Sequence, residues 1–340
     1  MNVRLNKELH TQNGVLLLNL GGPETLSEVR PFLYKLFSDP EIIRIKQTVF
    51  RRMFAWIISR AREKKSQNLY RQIGGCSPLR RITESQASAL ETALAAQGTP
   101  ARVYVGMLCG NPSIDEAFDN ITADGVRRLT LLPLFPQYSG TTTGACFRYI
   151  QTLVMRRGLS EKIEISFIED WYKNPLYIDA ITGTITDALM LFPENERAGV
   201  HVFYSAHSLP EWYVKQGDPY LGRMRECVSL INARLNERLD FKLRHSLGFQ
   251  SKIGPVKWLE PSAESVIRDL AKHGVKKILA VPVSFVSDHI ETLYELDIAY
   301  RNLAAKLGVA EFRRAESLNI HPGFIAALAD IARAGILTGA

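Results

Sequence analysis

At 340 residues and 46 % hydrophobic content the chain can bury a large core, and its length suits two domains of ordinary size, which argues against a disordered protein. Its net charge of +7 is matched by one segment, Arg44 to Lys65, which holds eight Lys and Arg against one Glu, so the remainder is near neutral. Four cysteines, Cys76, Cys109, Cys146 and Cys227, lie at least 33 positions apart without a CxxC pair; this excludes a closely spaced zinc or iron–sulfur knot and suits a reducing compartment.

The opening residues, MNVRLNKELHTQNG, carry no apolar signal core, and Val15 to Leu20 is too short to span a membrane, so a cytoplasmic protein is expected. Short apolar, β-branched runs then alternate with helix-like patterns. They predict strands near 15–19, 102–107, 129–134 and 164–168, then near 200–204, 243–248, 278–283 and 312–315. Four and four read as an α/β chain of two Rossmann-like domains, each a four-stranded parallel sheet flanked by helices. The expected boundaries are 12–185 for the first domain and 186–320 for the second. A C-terminal helix, 321–340, is expected to pack back on the first.

Ligands of open parallel sheets gather outside the carboxyl ends of the strands. After the first strand comes NLGGPET, where Thr25 and Glu28 have the spacing of a capping box. PQYSGTTTGA follows the third strand, SAHSLP the fifth, QSKIGP the sixth and SDHIETLYEL the seventh. None is GxGxxG or a Walker loop, which weakens dehydrogenase and nucleotidase readings. The Gly-rich turns read as tight βα connections or as seats for an anion at a helix N-terminus.

Asp288, Glu291 and Glu295 recur at i, i+3 and i+7, one face of an α-helix. Two ionised carboxylates ~6 Å apart repel by roughly 3 kcal/mol at an effective dielectric near 20, and by a few tenths in open solvent. Inside a cleft such a row calls for a shared proton or a bound cation; at a helix start, Asp288 and Glu291 could equally be caps. His207, at the end of the fifth strand, reads as a metal ligand, a base near neutral pH, or a structural histidine. His289 would point roughly 100° away from Asp288 on a helix and reads as structural. The basic segment interleaves Val49, Phe50, Met53, Phe54, Trp56, Ile57 and Ile58 with its charges. That suits a packed helix with solvated cations or a membrane-facing lip; a nucleic-acid face lacks any accompanying binding module.

Together, LNLGGPET, YRQIGGCSPL, PQYSGTTTG, YSAHSLP, QSKIGP and SDHIETLYELD resemble the ferrochelatase family, in family order from about residue 14 to 330. The resemblance implies two chelatase-type Rossmann-like domains with a porphyrin cleft between them, and insertion of Fe²⁺ into protoporphyrin IX to give protohaem. It implies His207 and Glu291 as catalytic residues and metal ligands, with Asp288 and Glu295 extending the metal set as a relay. Arg62, Tyr70 and Ser77 would bind the porphyrin, on a lip spanning 44–80. Cluster-bearing members have a cysteine where Gly140 stands, so no iron–sulfur cluster or other prosthetic group is expected, and Fe²⁺ is substrate. Ala299 shortens the acid row relative to some members. Leu20, where coproporphyrin users tend to place a tyrosine, favours protoporphyrin; Leu108 replaces an arginine that many relatives carry. The alternatives are a coproporphyrin ferrochelatase, another tetrapyrrole chelatase, or a porphyrin or haem carrier without catalysis. Protoporphyrin IX and Fe²⁺ are the expected partners, nucleic acid is not, and peripheral contact with the inner face of the membrane is left open.

Overall fold

The computed structural model describes residues 12–338 except 41, 42, 44, 46, 253 and 255; the start of the basic segment and part of QSKIGP therefore lie outside the described residues. The chain divides into two compact units, one running to Trp171 and resuming at Ile325, the other Tyr172–Phe324.

In the first unit β1 (Asn13–Asn19) is followed by helices α1 (Val29–Ser38), α2 (Thr48–Gln72) and α3 (Leu79–Ala96). Then come β2 (Arg102–Met107), α4 (Ile114–Ala123), β3 (Arg128–Pro133), α5 (Thr143–Arg156) and β4 (Glu164–Phe167). The four strands are parallel in the order β2-β1-β3-β4. Val15 to Leu18 are fully buried, as an inner strand covered on both faces requires, which is why it reads as an unbroken apolar run. Leu16 and Leu18 pack with Phe118, Ile121, Leu131 and Ile150 in one core. The expected capping box is not formed, because Glu28 reaches the Glu24 N–H instead, at 2.9 Å.

The second unit repeats the plan. α6 (Pro175–Met190) leads into β5 (His201–His207), α7 (Glu211–Lys215), α8 (Tyr220–Arg238), β6 (Arg244–Gln250), α9 (Ala263–Lys272) and β7 (Lys277–Pro282). A π-helix (Glu291–Tyr300), α10 (Arg301–Lys306) and β8 (Glu311–Arg314) complete it. The parallel order β6-β5-β7-β8 places the topological switch between β5 and β7, where connections leave in opposite directions. Val202 to Ala206 are fully buried. Phe203, Ile267, Ile278, Ala280 and Leu296 share the core, so the π-helix contributes to it directly.

The units part at 171/172 rather than at 185/186. Asn174 caps α6, and its Asp179 pairs with Arg234 at 2.8 Å and Arg238 at 2.6 Å, both on α8. These partners lie 55 and 59 residues downstream, beyond the reach of local pattern. The last helix, α11 (Pro322–Thr338), begins in the second unit and belongs from Ile325 to the first. Its Gly335 lies against β3, where an added Cβ would fall 2.7 Å from the Thr130 methyl.

Candidate active site

His207 closes β5 in register with Gln250, the last residue of β6. Its N–H donates to Ser284 Oγ at 2.9 Å, and its carbonyl accepts from the Tyr220 hydroxyl at 3.0 Å, so the backbone is held on both sides. Nδ1 lies 2.6 Å from the Ser208 carbonyl oxygen, which keeps a proton on Nδ1 and presents Nε2. Nε2 meets Glu291 Oε1 at 3.2 Å.

Glu291 opens the π-helix, and its Oε2 lies 3.0 Å from His289 Nε2. His289 Nδ1 faces the Ser287 carbonyl oxygen at 3.0 Å, so this ring too offers Nε2. Phe285 borders both imidazoles, its centroid 6.2 Å from His207 and 4.2 Å from His289. One carboxylate is thus flanked by two imidazoles, an arrangement that needs a shared proton at each contact. A metal cation can take the place of such a proton.

Burial works against a charged His207, but the Glu291 carboxylate outweighs it and raises the imidazole to about 9. Burial likewise works against Glu291 ionisation, yet His207 and His289 hold it well below the usual carboxylate range. Glu295 is pushed up to about 7 by burial and by the neighbouring Glu291 charge, against the Ser251 hydroxyl that donates to it at 2.9 Å. At neutral pH the cluster holds an imidazolium–carboxylate pair beside a carboxyl poised to gain or lose a proton.

Asp288 does not continue this row. It precedes the helix, and the helix that follows has π rather than α hydrogen bonding, so the α-helical register that would align the three acids does not apply. Its Oδ1 accepts from Arg314 Nη1 at 3.1 Å, Ser317 Oγ at 2.7 Å and Thr292 Oγ1 at 3.0 Å, and Oδ2 from Asn319 Nδ2 at 2.9 Å. Burial pushes this carboxyl up, but Arg314 and the three neutral donors bring it below its ordinary value. Arg314, its side chain 11 % exposed, also grips Asp297 of the π-helix at 2.9 and 3.0 Å. Asp288 thus stands apart from the His207–Glu291 contact, its carboxylate taken up by its own donors.

The structure instead adds His289, which the sequence reading treated as structural; its adjacency to the acids was the available signal. Gln250, inside a quoted motif but not singled out, donates from Nε2 to the Glu291 main-chain carbonyl at 3.0 Å.

The expected porphyrin contacts lie in the first unit. Ala55, Ser59, Ser66 and Tyr70 are the buried positions of α2, and Arg62 falls on the same stripe. Its Nε is buried with no hydrogen-bond partner, an unusual state for a guanidinium and one that an incoming carboxylate would relieve. Ser77 Oγ accepts from the Leu79 N–H at 3.3 Å and packs so tightly on the first-strand turn that a Cβ at Gly22 would sit 2.6 Å from it. The opposite stripe of α2 exposes Val49, Phe50, Met53, Trp56 and Ile57, each by half or more. Among the described residues no helix is long and apolar enough to cross a membrane. Cys109, Cys146 and Cys227 are buried and Cys76 half-buried.

The fold is shared with SirB from Bacillus subtilis, in a structure with Fe³⁺, at a TM-score of 0.56 and 14 % identity, over 96 % of each chain. A second structure, the sirohydrochlorin chelatase SirB from Bacillus subtilis subspecies spizizenii in complex with cobalt, gives 0.53 and 12 %, over 96 % of this chain and 95 % of that one. At such identities the likeness shows the fold alone. The sequence relatives are much nearer: a ferrochelatase of Synechococcus sp. (strain JA-3-3Ab) is 48 % identical over 97 % of this chain and 95 % of its own. One of Thermosynechococcus vestitus is 48 % identical over 95 % of this chain and 82 % of its own. With the Ferrochelatase family model matching residues 12–336 besides, the chain belongs to the ferrochelatase family.

Proposed function

We propose that the chain inserts Fe²⁺ into protoporphyrin IX, and that His207 and Glu291 between them take the cation and the pyrrole protons. The observation that carries this is the Nε2–carboxylate contact at 3.2 Å, located at the switch point of the second sheet. Metallation must remove two pyrrole protons and replace part of the iron's water shell. Fe²⁺ arriving at Glu291 would displace the proton held between the carboxylate and the imidazole. That proton would leave through Glu295 to solvent, and Nε2 of His207, freed of it, becomes a base that takes the two pyrrole protons in turn. Glu295, with its carboxyl near 7, is the next acceptor and can pass each proton to solvent. Asp288 in this scheme anchors the structure and does not relay. A mixed imidazole and carboxylate site suits a divalent ion that must be handed on, unlike a closed thiolate cage.

On the porphyrin side, Arg62 would pair with a propionate through its unpartnered Nε, with Tyr70 and Ser77 contacting the macrocycle. Leu20 follows β1 at the Gly turn, and its apolar side chain supports protoporphyrin over coproporphyrin. The scheme needs no iron–sulfur cluster or other prosthetic group. An anaerobic assay offering Fe²⁺ with protoporphyrin IX or coproporphyrin III tests the substrate assignment; metallation of coproporphyrin III alone would overturn it.

A further reading concerns α2, whose exposed apolar stripe lies beside the exposed Arg52 and Arg60. This composition supports peripheral docking on an anionic membrane surface. Co-sedimentation with vesicles containing anionic lipid should decline as salt is raised, and absence of binding at low salt would remove this reading.

A further inference from the structure

Gln250 connects to both halves of the His207–Glu291 pair. It is 1 % exposed and ends β6 opposite His207. Its main-chain carbonyl accepts the Ser208 N–H at 2.8 Å, and the Ser208 carbonyl accepts the His207 Nδ1–H at 2.6 Å. The side chain serves the other half: Nε2 donates to the Glu291 carbonyl at 3.0 Å, while Oε1 accepts from the hydroxyl of Ser205, which is fully buried. The Glu291 carbonyl fixes the amide's orientation, since the flipped amide would set its own oxygen against it, and the Ser205 hydroxyl then supplies the donor that Oε1 needs.

We infer that Gln250 is a positioning residue that sets the separation between His207 Nε2 and the Glu291 carboxylate, with Ser205 anchoring the far end of its amide. The inference rests on the roles proposed for His207 and Glu291. Glu291 opens a π-helix, and Gln250 ties the main chain of that first residue to the end of β6. Without that tie the turn is free to settle elsewhere, and a displacement of about 1 Å can cost on the order of 10²-fold in rate. Gln250 itself touches neither metal nor porphyrin in this account.

The test compares Gln250→Met, which keeps the volume and removes the amide, with Ser205→Ala, which leaves Oε1 without its donor and loosens the amide, beside Glu291→Gln and His207→Ala as references. Steady-state metallation with protoporphyrin IX and Fe²⁺ is read together with the porphyrin KM and the melting temperature. The expected result for Q250M is a kcat about 10- to 100-fold lower, as for partners that orient metal ligands, with porphyrin KM and Tm unchanged. S205A should show a smaller loss of the same kind, and decides the matter if Q250M does not fold. Both variants matching wild type in kcat while E291Q and H207A are inactive would overturn the role of Gln250 and leave the pair standing. Full turnover by E291Q and H207A would instead remove the pair's role, and this inference with it.

Discussion

Replacing Asp288 with alanine separates an anchor from a relay. The change removes an acceptor from Arg314, Ser317, Thr292 and Asn319 together, and leaves Arg314, 11 % exposed, with Asp297 as its remaining carboxylate. Breaking a buried ion pair from one side costs ~3–5 kcal/mol, and the surviving Asp297 pair places this loss at the lower end, ~3 kcal/mol. In a unit of this size, a loss of 1 kcal/mol lowers Tm by about 2–4 °C, so the second unit should melt about 6–12 °C lower. Asp288→Asn, which keeps an oxygen for Arg314, should lose roughly half as much. Calorimetry of both variants, with initial metallation rates measured well below either transition, is the assay. The account expects rates within about tenfold of wild type, as for a residue acting at a distance. An unchanged Tm with a rate lowered by about 10²-fold or more, the scale of a lost acid–base group, would refute the anchor and return Asp288 to the relay.

Glu295→Gln should stabilise the apo-protein at pH 8 and change little near pH 4.5. The folded carboxyl near 7 lies above its ordinary 4.5, so the stability tied to its proton is complete below 4.5 and lost as pH rises through 7, about 3 kcal/mol in all. Urea denaturation at the two pH values checks this, and equal effects at both would contradict it. His207, raised from 6.5 to about 9, lends stability that is full below 6.5 and lost as pH rises through 9. NMR titration of its ring should show the raised value, and Glu291→Gln should bring it to 6.5 or lower because burial then acts with less opposition. Gly22→Ala places a methyl 2.6 Å from Ser77 Oγ and should cost about 1–3 kcal/mol of stability. It should also weaken porphyrin binding, measured by fluorescence quenching, if Ser77 is a contact.

The eight strands were legible because buried parallel strands read as short, largely apolar runs, and Val15 to Leu18 and Val202 to Ala206 are fully buried. The division between units was not, because the Asp179 pairs that hold α6 to α8 span more than fifty residues. The acid row was half legible. Glu291 and Glu295 share the π-helix, but a 3.6-residue period does not describe that helix, and the donors that claim Asp288 come from 314, 317 and 319. The same assumed period turned His289 away from the acids, although it precedes the π-helix and contacts Glu291. His207 and Glu291, 84 positions apart, could be joined only through the family resemblance, since no local rule pairs the end of β5 with the helix after β7.

The most direct test of the central claim is anaerobic turnover of wild type, Glu291→Gln and His207→Ala with protoporphyrin IX and Fe²⁺, alongside porphyrin affinity for each. The account predicts multiple turnovers by wild type, and rates lowered by on the order of 10²–10⁴-fold in either variant with porphyrin affinity preserved. Turnover by Glu291→Gln at the wild-type rate would contradict it.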